Sequence, residues 1–372
     1  MGDVIYPQSK TILVHELVDG MMIDQEVHSL QGSILIPKGL IIKDEDRVRE
    51  MLMQHDAMMI KVRLPERVEQ SSGPDGDTQK TVETNQERQL REFAESFDKK
   101  CDRLKDEFEK IIMNKNASKE AVEERMEETL TAFDADINVI QLMQKVRGSD
   151  DATYMHSHNV ALTSHLLGRW LNMPEEEIKE LTLSALLIDI GKIKVPDSVI
   201  NKKEQLTEAE YGEAKRHVVH SYEAVKNFSF LSKKALQGIL FHHERMDGSG
   251  YPKGLKGEEI PYFARIIAIA DVYNAMTSKR PYREQLTPFQ AIQILQTEYN
   301  EKFDPEILYL FLKRIATLFI GQNVRLSDGK KGEIIFIPKN HIYRPMIRLT
   351  DTDAVIDLYQ PDQQHQQIVE FI

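Results

Sequence analysis

The sequence predicts a mainly α-helical protein in which a small α+β domain precedes an all-α helical bundle and a small β-rich tail follows it. Three observations lead to this fold class. Nearly every segment between residues 135 and 318 has the three- and four-residue apolar spacing of a helix. Residues 1–66 contain short apolar runs broken by Asp-Gly, Gln-Gly and Lys-Gly pairs. Residues 319–372 return to short apolar runs, the first two of which are separated by Asp328-Gly329.

The first domain is predicted to contain short strands and one helix. Apolar runs at Thr11–Val14 and Ser33–Pro37 have the length of strands, and residues 45–55 have helical spacing. Residues 67–88 include the polar stretch SSGPDGDTQK and few large apolar side chains. This composition is typical of a flexible linker.

A long helical connector is predicted over residues 89–134. Its apolar residues form one stripe on a charged helix, made by Leu90, Phe93, Phe97, Cys101, Leu104, Phe108 and Ile111. The stripe has two interpretations, which are packing within one subunit and pairing with a second copy in a homodimer. Cys101 is the only cysteine in the sequence, which excludes an intrachain disulfide.

Several helices of the bundle carry sequence signals for their first turn. Pro174 precedes three glutamates, Thr207 and Glu210 have the spacing of a capping box, and Asp304-Pro305 opens a last helix. Alternating apolar residues predict three strands in the tail, at residues 323–327, 332–337 and 345–349.

The chain of 372 residues is acidic, with 48 Lys and Arg against 60 Asp and Glu and a net charge of −12. This balance argues against binding to DNA or RNA polymers or to an anionic membrane surface. The N-terminal segment contains acids and lacks an apolar signal core, and no run reaches the roughly 18 apolar residues of a membrane span. We therefore expect a cytoplasmic protein whose anionic ligands are met by local cations or metals.

Histidines and aspartates recur through the bundle at intervals that suit one or two ligands for each helix. The series consists of His156, Asp189, His217, His242, His243 and Asp271. These side chains are common ligands of transition metals. Ordinary alternatives exist, because a lone helical histidine is more often a surface or core residue, which is our interpretation of His158, His165 and His220. Asp189 likewise has Lys192 one turn later as an ion-pair partner.

Two further segments favour a ligand-binding site. Residues 241–257 read FHHERMDGSGYPKGLKG, in which two adjacent histidines are followed by charged residues and a glycine- and proline-rich turn. Residues 280–283 read RPYR, a compact cationic and aromatic cluster suited to an anionic, planar ligand. Histidines that can bind a metal, followed by a stiff turn, indicate a site where a small molecule is bound and oriented.

Seven segments, in family order, resemble the HD-GYP family of bacterial phosphodiesterases, which hydrolyse the second messenger cyclic di-GMP. The segments are Tyr154–Val160, Ile188–Lys192, Val195–Asp197, Lys215–His217, His242–Pro252, Asp271–Arg283 and Phe303–Leu308. The pattern His-His-Glu-x-x-Asp-Gly-x-Gly-Tyr-Pro is highly specific. The resemblance implies an HD-type helical bundle and hydrolysis of cyclic di-GMP to linear pGpG, or to GMP after a second cut.

The resemblance also implies roles for individual residues. Two metal ions, commonly iron or manganese, would be held by His156, Asp189, His217, His242, His243 and Asp271. Asp189 would bridge the two ions, and Lys192 would join it in catalysis by stabilising the negative charge that develops on the phosphate. The phosphates and bases of the ligand would be contacted by Lys192, Tyr251, Arg280 and Arg283.

The sequence departs from the family pattern at Ile188, where the family has the metal-binding histidine of its His-Asp pair. An isoleucine side chain has no donor atom. The metal position otherwise held by His156, Asp189 and Asp271 therefore loses a protein ligand, and we expect it to bind its ion more weakly.

Two other positions also depart from the pattern. Ala152 lacks the carboxylate that some members use for a third metal, and Asn274 stands where an aspartate is common. Two hypotheses stay open: a weakened cyclic di-GMP phosphodiesterase, and a catalytically degenerate sensor or scaffold that binds cyclic di-GMP or a metal and signals to a protein partner. Hydrolysis of another nucleotide is disfavoured because the Gly-Tyr-Pro segment is present.

Overall fold

The computed structural model describes residues 4–5, 9–14, 17–24, 27–28, 34–43, 45–54, 59–64, 66–67, 103–113, 120, 122–124, 152–202, 204–278 and 285–372. The predicted linker, apart from Arg67, lies outside these residues, as do residues 89–102 of the predicted connector.

Short strands and one helix make up the described part of the N-terminal region. The strands are β1 (Val4–Ile5), β2 (Ser9–Leu13), β3 (Met22–Ile23), β4 (Val27–His28), β5 (Ile34–Ile36), β6 (Met59–Arg63) and β7 (Glu66–Arg67). Helix α1 spans Glu45–Gln54, where the sequence predicts a helix. One antiparallel sheet has the order β2-β6-β3, and β1-β7 and β4-β5 form separate pairs. Apolar side chains including Ile23, Leu52 and Ile60 form a core cluster of their own.

The central region is helical. Its helices are α2 (Ala152–Trp170), α3 (Glu175–Leu187), α4 (Asp197–Ile200), α5 (Glu208–Lys215), α6 (His217–Val225), α7 (Lys233–Phe241), α8 (Tyr262–Thr277), α9 (Pro288–Glu298) and α10 (Pro305–Thr317). Short 3-10 helices occupy Ile190–Lys194 and Gly257–Glu259. The predicted capping box of Thr207 and Glu210 is present, and the Asp304 side chain accepts hydrogen bonds at the start of α10. Among the described residues, no helix is long and apolar enough to cross a membrane.

Part of the connector packs into the core of the central region. Residues 103–112 are helical, and Leu104, Phe108 and Ile111 are buried within the main hydrophobic cluster. The ring of Phe108 lies 5.6 Å from that of Tyr154 on α2. For these three stripe residues, packing within one subunit is therefore the observed arrangement. The earlier part of the stripe lies outside the described residues, and the homodimer stays a prediction.

The tail forms a five-stranded antiparallel sheet with the order β11-β10-β9-β8-β12. Its strands are β8 (Asn323–Leu326), β9 (Lys331–Phe336), β10 (Met346–Leu349), β11 (Val355–Asp357) and β12 (Ile368–Phe371). The first three lie where the sequence predicts strands, and the last two were not predicted. Phe371 stacks on Phe289 of α9, with ring centroids 6.3 Å apart. The mainly helical class with small sheets is confirmed, while the predicted domain boundaries stay predictions.

His165 is a buried histidine between α2 and α3, as expected of an ordinary core residue. Its Nδ1 lies 3.2 Å from the Thr182 hydroxyl. Burial, together with the positive charge of Arg169, lowers the pKa of His165 to about 4. The folded state therefore holds this imidazole in its neutral form at pH values where the unfolded chain is protonated.

We expect His165 to reduce the free energy of unfolding by about 2 kcal/mol as the pH falls from 7 to 5. The unfolded imidazole takes up its proton near pH 6.5, whereas the folded one does so only near pH 4. The stabilisation from the neutral imidazole is complete above about pH 6.5 and is lost as the pH falls from there toward the folded-state pKa of about 4. Urea unfolding of the wild type and of His165→Gln at both pH values measures the effect. An equal pH dependence in the two proteins would contradict it.

Candidate metal centre

The structure brings the six predicted ligand side chains together from five places in the chain. His156 lies on α2 and Asp271 on α8, while Asp189 follows the end of α3. His217 is the first residue of α6, and His242 and His243 directly follow α7. The ends of helices therefore supply most of the site, which allows short connections to aim several side chains at one point.

Three histidines form one half of this centre. Each of His217, His242 and His243 offers a ring nitrogen, and these atoms lie within 4.8 Å of one another. The Nδ1 atoms of His217 and His242 donate to the carbonyl oxygens of Ala214 and Ile239, both at 2.8 Å. Because these carbonyls can only accept, each neutral ring keeps its lone pair on Nε2.

The free nitrogens of this half fit a metal ion. Nε2 of His217 and Nε2 of His242 are buried and have no hydrogen-bond partner, although buried polar atoms are normally paired. Burial lowers the pKa of His217 to about 4 and also lowers the pKa values of His242 and His243. Ligating histidines must be neutral, and a backbone carbonyl on the second nitrogen is the usual way of fixing their orientation.

Asp189 links the two halves of the centre. Its Oδ1 lies 3.5 Å from Nε2 of His217, and its Oδ2 lies 3.7 Å from Nε2 of His156 and 2.6 Å from Nζ of Lys192. Burial of this carboxyl favours the neutral acid, but the charges of Lys192 and the two histidines outweigh that effect and hold the pKa of Asp189 below its ordinary value. Asp189 is therefore a buried carboxylate with one oxygen directed to each half.

The second half combines His156 with Asp271. Nε2 of His156 lies 2.9 Å from Oδ1 of Asp271, whose Oδ2 lies 3.8 Å from Nδ1 of His243. Burial opposes ionisation of Asp271, but the neighbouring histidines keep its pKa well below the ordinary value. This half thus offers one imidazole and two carboxylates, a donor set that suits a divalent transition metal.

The Gly-Tyr-Pro turn covers the histidine half. The ring of Tyr251 stacks on His243 with centroids 4.7 Å apart, and its backbone amide donates to the His243 carbonyl oxygen at 3.2 Å. Glu244 is buried, and its two carboxylate oxygens accept hydrogen bonds from the amides of Lys253, at 2.7 Å, and Leu255, at 3.0 Å. Glu244 therefore holds the turn in place, a role that sequence reasoning missed.

The chain matches known proteins over its central region. Residues 138–307 match the family model described as HD domain. The chain is 35% identical over 212 residues to a cyclic di-GMP phosphodiesterase of Pseudomonas aeruginosa, covering 57% of this chain and 51% of that protein. It is 38% identical over 204 residues to the cyclic di-GMP phosphodiesterase response regulator RpfG of Xanthomonas campestris pv. campestris, covering 54% and 51%. The HD-domain match and the names of these relatives are consistent with the HD-GYP family.

A third relative has a different name. The chain is 33% identical over 175 residues to 3'3'-cGAMP-specific phosphodiesterase 3 of Vibrio cholerae, covering 47% of this chain and 37% of that protein. The chain spans about half the length of the two cyclic di-GMP phosphodiesterases that it matches. All three relatives are named as phosphodiesterases of a cyclic dinucleotide. The dinucleotide is cyclic di-GMP in two of the names and 3'3'-cGAMP in the third.

Ile188 is the main departure from the HD-GYP sequence pattern. Its side chain is fully buried in the main hydrophobic cluster, and its carbonyl oxygen accepts a hydrogen bond from the Ser221 hydroxyl at 2.6 Å. The residue adjoins Asp189 but contributes only apolar atoms beside it. That the half containing His156 and Asp271 lacks a donor at this position stays a prediction from the sequence resemblance.

The remaining predicted residues differ in how far the structure describes them. Asn274 is buried and donates to the Thr163 hydroxyl, at 2.9 Å, and to the Ala270 carbonyl oxygen, at 2.8 Å, so it ties α8 to α2. Arg280 and Arg283 lie outside the described residues, and their contact with a ligand stays a prediction. Among the described residues, the histidines that lie close enough together to hold one metal ion are His217, His242 and His243. His158 and His220 do not belong to this group.

Proposed function

We propose that the chain is a metal-dependent phosphodiesterase that hydrolyses cyclic di-GMP to linear pGpG, and to GMP after a second cut. The observation that carries this proposal is the pair of buried, unpartnered Nε2 atoms of His217 and His242 beside a carboxylate that faces both halves of the centre. The names of the most similar relatives support cyclic di-GMP as the substrate. The mixed imidazole and carboxylate donors favour iron or manganese.

Each residue has a definite task in this proposal. His217, His242, His243 and Asp189 would hold one ion, and His156, Asp271 and Asp189 would hold the other. When bound, the ions supply Lewis acidity toward the phosphate and lower the pKa of water. Lys192 neutralises the charge of Asp189 and places an ammonium group where negative charge develops on the phosphate. The phosphates and bases contact Tyr251, Arg280 and Arg283.

A direct assay tests the proposal. Purified chain loaded with iron or manganese is incubated with cyclic di-GMP and, separately, with 3'3'-cGAMP, and linear products are separated by chromatography. We expect pGpG or GMP from cyclic di-GMP, formed faster than the linear product of 3'3'-cGAMP. No linear product after hours, under conditions in which an active relative turns over, would refute the hydrolytic proposal.

A second candidate function is favoured by Ile188. A centre that lacks one donor in the His156 half binds its second ion weakly, and the domain would then bind cyclic di-GMP without cutting it. Such a sensor would signal to a protein partner through the connector at residues 89–134. Equilibrium binding of cyclic di-GMP in the absence of any linear product distinguishes this function from catalysis.

Restoring the missing donor with Ile188→His should raise the metal-to-chain ratio toward two and increase turnover by about tenfold, because ligand and near-ligand changes alter metal affinity or activity by about 10- to 100-fold. Elemental analysis of anaerobically prepared protein and the product assay measure the two effects. Ile188→Leu is the matched control, since it conserves volume without adding a donor. An unchanged metal ratio in Ile188→His would show that this position does not limit the second ion.

A further inference from the structure

Helix α5 is a surface helix held in a fixed position beside the metal centre. None of its residues is buried. It is anchored at its first turn, where the Thr207 side chain and Glu210 form a reciprocal capping box and Lys202 lies 2.6 Å from the Glu210 carboxylate. Arg216 is the one residue between its last residue, Lys215, and the ligand His217. Side chains at its C-terminal end are therefore close to the centre and accessible to a ligand.

An aromatic and cationic row runs from this helix to the histidine ligands. Nζ of Lys215 lies 4.5 Å from the ring centroid of Tyr211 and 5.8 Å from that of Tyr251. Tyr251 in turn stacks on His243 at 4.7 Å. Tyr211 as a residue is 50% exposed and lies at the outer end of the row.

Lys215 keeps its charge available. Two acids of α5 are engaged elsewhere, since Glu210 pairs with Lys202 and Glu213 lies 3.2 Å from Arg216. Within the described part of the chain, Lys215 has no carboxylate partner. In a chain with a net charge of −12, an unpaired ammonium group beside the centre creates a local positive potential that an anionic ligand requires.

We infer that Tyr211 and Lys215 form a nucleotide-binding rim outside the metal centre. Tyr211 stacks on a nucleobase of the cyclic dinucleotide, and Lys215 contacts a phosphate oxygen, so the rim holds the half of the ligand that lies away from Tyr251. This inference rests on the proposed function for its choice of ligand. Aromatic side chains bind bases through their faces, and an ammonium group binds phosphate as a point charge.

A different role for the same pair is purely structural. A cation–π contact between Lys215 and Tyr211 stabilises an exposed helix modestly. That role predicts a lower unfolding midpoint in the variants and no specific loss of affinity. The binding role predicts a loss of affinity for the nucleotide with an unchanged unfolding midpoint. Tyr211→Phe retains the stacking face of the ring and removes only the hydroxyl, so it separates the contributions of the two groups.

The test measures equilibrium binding of cyclic di-GMP and of GMP to the metal-loaded full chain. We expect Tyr211→Ala and Lys215→Met each to raise the Kd for cyclic di-GMP by about five- to tenfold, the lower part of the range measured for base stacking on aromatic residues. Tyr211→Phe should remain within about twofold of wild type. Tyr309→Ala and Lys313→Met on α10 are matched controls and should leave the Kd unchanged. Metal content and the unfolding midpoint of every variant are measured in parallel.

The outcomes separate this inference from the proposed function. Unchanged Kd values in Tyr211→Ala and Lys215→Met would overturn the rim, and so would a wild-type chain that binds neither nucleotide. A loss of affinity that follows a lower unfolding midpoint or lower metal content would assign the pair a structural role and would also overturn it. If binding depends on both residues but no linear product forms, the rim stands and the hydrolytic proposal fails.

Discussion

Asp189→Asn should empty both halves of the metal centre and lower turnover by about 100-fold or more. The carboxylate directs one oxygen to His217 and the other to His156 and Lys192. An amide in its place carries no charge to attract a cation, and it has only one oxygen to share between the two halves. It also removes the counterion of Lys192, so the ammonium group would remain uncompensated beside the empty site.

Elemental analysis gives the readout that does not depend on turnover. The metal-to-chain ratio of Asp189→Asn should fall close to zero, and the product assay should show the matching loss. Asp328→Asn is the control, because Asp328 is an exposed residue that pairs with Lys330 in the turn between β8 and β9. A variant that retains wild-type metal content would show that Asp189 is an ion-pair partner of Lys192 and not a bridging ligand.

The sequence predicts which side chains meet because ligand spacing follows from helix length. His156 and Asp271 lie far apart in the chain, yet each falls on a long helix of a bundle with an apolar face, and their contact at 2.9 Å follows from packing α2 against α8. The starts of α5 and α10 were predictable because the signals for a helix start are local in the sequence. Capping side chains such as Thr207 and Asp304 bond to amides two or three residues away.

Other features depend on contacts that no local pattern records. Glu244 lies among charged residues beside the adjacent histidines, and its sequence position suggests a role toward the ligand. In the structure it accepts from the amides of Lys253 and Leu255, a partnership decided by the path of the turn. Strand β11 has only three residues, too few for an alternating pattern to stand out. Tyr211 reads as an ordinary exposed helical residue until Lys215 and Tyr251 are placed beside it.

Gly191→Ala should disrupt the centre without touching any ligand side chain. Gly191 lies in the 3-10 helix that follows Asp189, and its amide donates to the Ser221 hydroxyl at 2.9 Å. A Cβ at this position would overlap the carbonyl oxygen of His217 and the amide nitrogen of Ser221. Both are backbone atoms of α6, so relief requires the whole helix to move, and the ligand at its first position would move with it. We expect a loss of about 3 kcal/mol in the free energy of unfolding.

A glycine-to-alanine substitution at another position in the domain should raise the free energy of unfolding. Gly212 lies within α5, and a Cβ there would meet no atom within 4 Å. Gly212→Ala should therefore stabilise the helix by about 1 kcal/mol, because alanine has less backbone freedom to lose than glycine. Urea unfolding and metal analysis of the two variants test whether Gly191 lies as close to the backbone of α6 as the structure shows. If Gly191→Ala retains wild-type stability and metal content, then the 3-10 helix and α6 are not in contact at this point, and the position of Asp189 relative to His217 must be set by other contacts.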